Sequence, residues 1–322
     1  MLLLFSCLEP ENRFDIDASK VDVNQVKIKR YEQALFNLDP NHLKEGLRTL
    51  QPEFPIFLEG DVEDTISLMR IREFINDTLL QSVYVECNKV FPNLGWLQDN
   101  LTEAFRHYLF YFPDRNQSQV YSYISGFDFE NPVGFFDNSM LIALDLYLDS
   151  DYPAYQELGV PVYITHRFSK EFIVRDCMEK LAEASIDGRL VKNDLLDQMV
   201  YQGKILYFIN CMIPEVADSI LFVYTEKQLE WIRENEGSVW AFLVENQLFY
   251  NTEMQYYQKF LLDSPFTSFF GNESPPRLGW WIGYHIVSNY MENKRNVKLA
   301  DLMQDFDAQK ILNASGYKPQ LK

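Results

Sequence analysis

Cys7 is the first residue whose surroundings point to chemistry. The apolar segment Met-Leu-Leu-Leu-Phe-Ser precedes this cysteine, and the polar residues Glu9 and Glu11 follow it closely. An apolar leader that ends in a cysteine is typical of bacterial lipoproteins, whose thiol is acylated, so we predict a lipid anchor at Cys7. The leader is far shorter than the roughly 20 apolar residues of a bilayer-spanning helix, and it lacks the basic start of a full signal peptide. The alternative is a buried apolar N-terminus with an ordinary free cysteine.

The composition limits the classes of partner. The chain has 322 residues, of which 47% are hydrophobic, so it can bury a large core. Its 47 acidic and 29 basic residues give a net charge of -18, which would repel a phosphate backbone and argues against nucleic acid as a partner. No later apolar run reaches a transmembrane length. We predict a leader and tether over 1–22 and a single domain over 23–319.

Most of the elements that must position any site are predicted to be helices. Residues rich in β-branched and aromatic side chains predict strands at 26–28, 119–127 and 139–148, with a turn at 131–134 between the last two. Amphipathic spacing predicts helices at 31–38, 42–50, 61–80, 101–112, 169–185, 194–212, 225–233, 236–249, 276–291 and 297–314. Thr225 and Gln228 have the spacing of a capping box. The predicted fold class is α+β and predominantly helical, with a few-stranded sheet followed by a helical body.

Four segments resemble the gliding-motility lipoprotein GldB family of Bacteroidetes. They are LIALDLYLDSDYPAY (141–155), TEKQLEWIRENEGSVWAFLVENQLFY (225–250), SPPRLGWWIGYHIVSNYM (274–291) and DAQKILNASGYKP (307–319). The resemblance extends from about Arg13 to Lys318. It implies an outer-membrane lipoprotein that faces the periplasm, with an anchor at Cys7 and protein partners in the envelope. In gliding members the protein is needed for movement and is associated with the secretion machinery that serves it.

The order of sheet, helix and second helix also resembles the gluzincin metallopeptidases, which implies a zincin-like fold. In those enzymes an HExxH helix supplies two zinc ligands and a general base, and a Glu on a downstream helix supplies the third ligand. Here Arg175-Asp176-Cys177-Met178-Glu179 occupies the five positions of that motif. Gln202, which precedes a glycine in MVYQGKILYF (199–208), stands in the place of the downstream Glu.

These substitutions remove the metal chemistry. Arginine stays protonated and has no lone pair to offer, so Arg175 cannot bind a dication. Gln202 is a weak zinc ligand, Glu179 alone cannot hold the ion, and Asp176 would have no metal-bound water to activate. We therefore expect no metal, no cofactor and no catalysis. We expect instead an ion pair between Arg175 and Glu179, with Gln202 hydrogen-bonded to it; the alternative is a solvated salt bridge on an amphipathic helix.

Other enzyme motifs are missing from the sequence. It contains no GxSxG, no GxxxxGK[ST] and no GxGxxG. Arg277, Trp281 and His285 lie at helical spacing and are a possible binding groove, although core packing is the simpler interpretation. We therefore predict a membrane-tethered, non-catalytic, peptidase-like domain that binds protein or peptide. The alternative is a metal-dependent hydrolase whose site is not recognised in the sequence.

Overall fold

The computed structural model describes residues 13–14, 16–60, 64–186 and 192–321. The chain forms two compact units. The sheet unit comprises Val23–Phe105 and Arg115–Ala184, and the helical unit comprises Met1–Asp22, Arg106–Asp114 and Ser185–Lys322. Two compact units do not decide whether the chain folds as one domain, so the single domain over 23–319 stays a prediction.

Four strands form the mixed sheet of the sheet unit: β1 (Ile28–Arg30), β2 (Gln119–Tyr123), β3 (Val133–Phe136) and β4 (Ser139–Ala143). Their order is β1-β2-β4-β3. β2 is parallel to both β1 and β4, whereas β3 pairs antiparallel with β4. The α+β, mainly helical class predicted from the sequence is confirmed. Its zincin-like relationship stays a prediction.

The remaining elements are fifteen described α-helices. They are α1 (Tyr31–Phe36), α2 (Leu43–Leu50), α3 (Thr65–Asn76), α4 (Thr78–Val90), α5 (Gly95–Tyr111), α6 (Pro153–Glu157), α7 (Val162–Thr165), α8 (Ile173–Ser185), α9 (Leu195–Met212), α10 (Asp218–Phe222), α11 (Glu226–Glu245), α12 (Met254–Leu261), α13 (Leu278–Asn293), α14 (Leu299–Gln304) and α15 (Ala308–Ser315). No described helix is both long enough and apolar enough to cross a bilayer.

The predicted turn at 131–134 is wrong, because Val133 and Gly134 belong to strand β3. The turn lies instead at Asp137 and Asn138, both of which have positive φ angles, of 45° and 55°. Two consecutive residues with positive φ are typical of the tight turn of a β-hairpin. Residues 133–143 therefore form a hairpin that the sequence analysis missed.

Asp145 explains why the strand predicted over 139–148 ends early. β4 stops at Ala143, and residues Leu144–Leu146 form a 3-10 turn. The buried carboxylate of Asp145 accepts hydrogen bonds from the backbone N–H groups of Ser125 and Phe127, at 2.9 and 2.8 Å, and from the Ser125 hydroxyl at 2.9 Å. Burial raises the pKa of Asp145 in spite of these donors. This carboxylate joins the segment after β2 to the end of β4.

Two helices at the centre of the helical unit are in backbone contact. A Cβ atom placed on Gly203 of α9 would lie 2.2 Å from the carbonyl oxygen of Gly283 on α13. A Cβ atom placed on Gly283 would lie 1.8 Å from the carbonyl oxygen of Met199. Only glycine permits this approach, because any Cβ atom at either position would overlap a backbone carbonyl group. α9 is buried along nearly its whole length.

Candidate functional site

Helix α8 carries residues 175–179, which the sequence analysis compares with the metallopeptidase motif. It follows a short 3-10 turn, Lys170–Phe172, and is buried on more than one side. Ile173, Cys177 and Leu181, at a spacing of four residues, form a buried apolar stripe on the helix. The charged residues Arg175 and Asp176 are buried as well, with 1% and 3% of their surface exposed. The helix therefore places charges in the interior, where they need partners.

Arg175 forms two ion pairs within its own helix. Its Nη1 atom lies 3.0 Å from Oδ1 of Asp176 and 2.5 Å from Oε2 of Glu179. The side chain of Glu179 is 15% exposed, so this pair is not a solvated surface bridge. Burial lowers the pKa of the guanidinium, but the two carboxylates outweigh burial and raise it above its ordinary value. Arg175 therefore carries a permanent charge in the interior; its equivalence to a metallopeptidase histidine stays a prediction.

The pKa values of the two carboxylates shift in opposite directions. Burial raises the pKa of Asp176, and the attraction of Arg175 only partly offsets it. Burial also acts to raise the pKa of Glu179, but the charge and hydrogen bond of Arg175 lower it overall. The hydroxyl of Tyr147, just beyond β4, donates to Oδ2 of Asp176 at 2.8 Å. Tyr147 is thus a fourth member of what we term the α8 charge cluster: Tyr147, Arg175, Asp176 and Glu179.

The chemistry of this cluster is that of a closed ion-pair network. Its central group has only donors and no lone pair, and it satisfies both neighbouring carboxylates. Within the described ranges, no group of three or more His, Cys, Asp or Glu side chains is arranged to hold a metal ion.

Cys87, Cys177 and Cys211 are buried free thiols, in agreement with the apolar packing role of small sulfur side chains.

Gln202 lies on α9, in the helical unit, and is half-buried. Arg175 and Glu179 lie in the sheet unit. The hydrogen bond from Gln202 to the ion pair therefore stays a prediction. Cys7 lies outside the described residues, so its acylation stays a prediction as well.

Arg277 and Trp281, two members of the possible binding groove, are buried and occupied by partners from their own chain. Arg277 is 3% exposed and precedes α13 in a left-handed backbone conformation, with φ 52°. Its guanidinium donates to the carbonyl oxygens of Phe222 and Val223, at 3.1 and 3.3 Å, and pairs with Asp263 at 3.2 Å. These contacts fix the start of α13. A groove role for these residues stays a prediction, and the contacts favour the core interpretation.

Glu236 on α11 is the common hydrogen-bond acceptor of polar side chains from α13 and the C-terminal segment. The sequence analysis did not identify it. Its Oε1 atom accepts hydrogen bonds from the indole N–H of Trp281 at 2.9 Å and from the hydroxyl of Tyr317 at 2.6 Å. His285 Nε2 lies 3.9 Å from the same atom. Burial lowers the pKa of His285, with Glu236 opposing. Only the fold brings α11, α13 and the C-terminal segment together, so no local signal could have revealed this cluster.

A small pocket lies elsewhere, at the N-terminal end of α9. Its volume is about 80 Å³, and its lining includes Asp194, Gln198, Glu253 and Tyr257. The Asp194 carboxylate is used locally, because it accepts the backbone N–H of Asp197 at 2.9 Å as the cap of α9. A volume of this size is well below the 300–1,000 Å³ or so of a typical small-molecule site.

The comparisons with known proteins give one family. The family model described as gliding motility protein GldB matches residues 11–319, nearly the whole chain, beginning four residues after Cys7. No curated protein and no solved structure matches the chain.

Proposed function

The chain belongs to the family of the gliding motility protein GldB, and from this premise we propose that it is an envelope lipoprotein, acylated at Cys7, whose folded part binds a protein or peptide partner without catalysis. It sits at the outer membrane and faces the periplasm. The partner belongs to the motility or secretion machinery of the envelope. The peptidase-like ancestry of the sheet and of α8 is part of the same proposal.

The observation that carries the non-catalytic part is the burial of Arg175 between Asp176 and Glu179. A dication at these positions would lie against a fixed positive charge and would have to break two ion pairs in the interior. Each pair is far stronger there than in water, because the surroundings are less polarisable. The positions that hold zinc and water in a gluzincin are therefore occupied by an internal salt bridge.

Metal analysis of the purified full chain tests this part. We expect less than stoichiometric zinc in the native protein by inductively coupled plasma mass spectrometry, and no change in metal content in Glu179→Gln or Gln202→Ala. Glu183→Gln is the matched control, because Glu183 lies one turn further along α8 and pairs with Lys180 on a more exposed surface. Stoichiometric zinc that is lost in the first two variants and kept in the control would establish the hydrolase instead.

Rebuilding the ligand set tests the peptidase-like ancestry. Arg175→His together with Glu179→His places two imidazoles one helical turn apart, a spacing that binds zinc. Adding Gln202→Glu supplies a third ligand only if position 202 faces the pair. We expect the triple variant to bind zinc at least about tenfold more tightly than the double variant. Gln198→Glu, one turn earlier on α9, is the control and should add nothing; equal gains from both would remove the zincin-like relationship.

Exposed apolar side chains on α3 are the first place to look for the partner. Ile66 and Met69 lie one turn apart on this helix and are 62% and 57% exposed. Clustered exposed apolar side chains mark interaction surfaces more often than isolated ones do. A photo-crosslinking residue at position 66 or 69 of the tethered protein should capture one defined envelope protein, whereas the same residue at exposed Arg72 should capture less of it. Equal capture from all three positions would remove α3 as the binding face.

A further inference from the structure

Arg13 fixes the N-terminal segment to the end of helix α13. Its guanidinium donates to the carbonyl oxygens of Met291 and Val297 and, at 3.5 Å, to that of Lys294. A cation on the last carbonyls of a helix satisfies orphan acceptors and complements the helix dipole. The ring of Phe14 packs 5.2 Å from that of Tyr207. Arg13 and Phe14 are therefore held at a defined place beside the turn after α13.

That turn is basic in a strongly acidic protein. The backbone N–H of Val297 donates to the carbonyl oxygen of Lys294 at 2.9 Å, which closes a tight turn. Lys294, Arg295 and Lys298 are exposed around it. Residues 291–300 hold three basic residues and one acidic residue, Glu292, whereas the whole chain holds 29 basic and 47 acidic residues. We term Arg13, Lys294, Arg295 and Lys298 the α13 basic patch.

The distance from Cys7 to this patch is limited by the chain itself. Five residues lie between Cys7 and Arg13, and the six Cα–Cα steps that join the two span only about 20 Å even when fully extended. Acyl chains on Cys7 would therefore keep the patch close to the lipid headgroups at all times, so that even a weak attraction acts at a high effective concentration.

We propose that the α13 basic patch is a docking surface for anionic phospholipid headgroups of the membrane that holds the anchor, and that it orients the helical unit on that membrane. This inference rests on the acylation of Cys7 proposed above. Each basic residue near an anionic surface strengthens attachment roughly fivefold. The negative charge of the rest of the chain is repelled by the same surface, which favours this one orientation.

Selective attachment through Cys7 gives a direct test with the full chain. The other three cysteines, Cys87, Cys177 and Cys211, are buried, so the unacylated protein can be coupled at Cys7 to a maleimide phospholipid in vesicles. One set of vesicles is pure phosphatidylcholine, and the other also contains about a third phosphatidylglycerol. Brief acylation with an amine-reactive ester, read by mass spectrometry, then reports the exposure of each lysine.

We expect the acylation of Lys294 and Lys298 to fall at least about threefold on the anionic vesicles and to recover in high salt, because salt screens such attraction. Lys227, exposed on α11 in the same unit, should react equally on both. Arg295→Glu should abolish the protection, whereas Lys227→Glu, the same change of charge elsewhere, should leave it intact.

Equal acylation of Lys294 and Lys298 on both kinds of vesicle, with the protein attached, would overturn the docking surface. Protection that persists in Arg295→Glu would also overturn it. The mass of the Cys7 peptide from native membranes is a separate measurement. An unmodified Cys7 there would refute the anchor of the proposed function, and the vesicle experiment would still decide whether the patch binds anionic lipid.

Discussion

Replacing Arg175 with Met removes the positive charge of the α8 charge cluster and keeps a side chain of similar length. In the native protein its Nη1 atom lies within hydrogen-bonding distance of both Asp176 and Glu179. The variant leaves these two carboxylates in the interior with no cation of their own helix between them. Uncompensated buried charge, rather than lost packing, should dominate the effect.

The expected loss of stability is roughly 3–5 kcal/mol, the usual cost of breaking a buried pair by removing one partner. Converted at about 2–4 °C per kcal/mol, this lowers the melting temperature by roughly 6–20 °C. Lys180→Met is the matched control on the same helix. Lys180 pairs with Glu183 at 2.9 Å, but both side chains are partly exposed, and such a pair contributes only about 0–1 kcal/mol.

The pH dependence of the stability gives an independent test of the same reasoning. The pKa of Glu179 in the native protein lies below the ordinary glutamate value of 4.5, so this residue stabilises the fold above that pH and the stabilisation is lost as the pH falls through the lowered pKa. In Arg175→Met the strongest counter-charge is gone, only the weaker attraction of Arg167 and Lys180 remains, and the pKa values of both carboxylates should rise. Protonation then removes the buried negative charges of the variant. The difference in free energy of unfolding between wild type and variant should therefore become smaller as the pH falls from about 7 to about 5.

Urea unfolding followed by far-ultraviolet circular dichroism, at both pH values, measures these differences. A variant that loses no more stability than Lys180→Met would show that the cluster behaves as a solvated salt bridge. A deficit that widens at low pH would show that the carboxylates are not the source of the cost. Either result would refute the reasoning about Arg175, and with it the main support for the non-catalytic proposal.

Three further predictions use the same measurement. Tyr147→Phe removes one donor to a buried carboxylate and should cost about 1–3 kcal/mol, and an unchanged midpoint would contradict that bond. Gly283→Ala forces a Cβ atom to 1.8 Å from the Met199 carbonyl oxygen and should cost more than about 4 kcal/mol, whereas Gly60→Ala, with nothing within 4 Å, should change stability by less than about 0.5 kcal/mol. Burial lowers the pKa of Lys204 from 10.5 to about 8. Between these pH values the unfolded chain keeps the proton that the native protein has lost, so the free energy of unfolding should rise with pH. Lys204→Met should not show this rise.

Helices with strong local signals were predicted well, but the residues at which one helix ends and the next begins were not. The helix predicted over 194–212 is α9, which begins one residue later because Asp194 is its N-cap, and the capping box of Thr225 and Gln228 is present. The helix predicted over 61–80 is wrong: Asp77 has an extended backbone, and its side chain caps the start of α4. The two helices predicted at 225–233 and 236–249 are one helix, α11, because no residue between them ends the hydrogen-bonding pattern.

The helix predicted over 297–314 fails for the same reason as the one over 61–80. It is interrupted after Gln304, and the side chain of Asp307 caps α15 by accepting from the backbone N–H of Lys310 at 2.9 Å. An aspartate inside a periodic pattern is compatible with a helix interior and with a cap. The tertiary packing on each side decides between the two.

The candidate site, too, was predictable from the sequence only where it depends on local spacing. The ion pair between Arg175 and Glu179 was predictable, because residues four apart on a helix face the same side. Its burial, its second carboxylate on Asp176 and the hydroxyl of Tyr147 were not, since they depend on how α8 packs against the segment after β4. The Glu236 cluster was invisible to the sequence for a similar reason, because its members are 45 and 81 residues apart.

By itself the sequence determined the helical majority, a cysteine that can carry a lipid and a permanently charged side chain at position 175. These are properties of residue type and of short-range spacing, which need no fold to be evaluated. Only the tertiary structure decided that Arg175 is enclosed by two carboxylates, that Gly283 permits α13 to touch α9, and that Arg13 lies on the end of α13. Burial and the contacts between distant segments are set by the packing of the whole chain, and they control whether a charge is solvated, paired or available to a membrane.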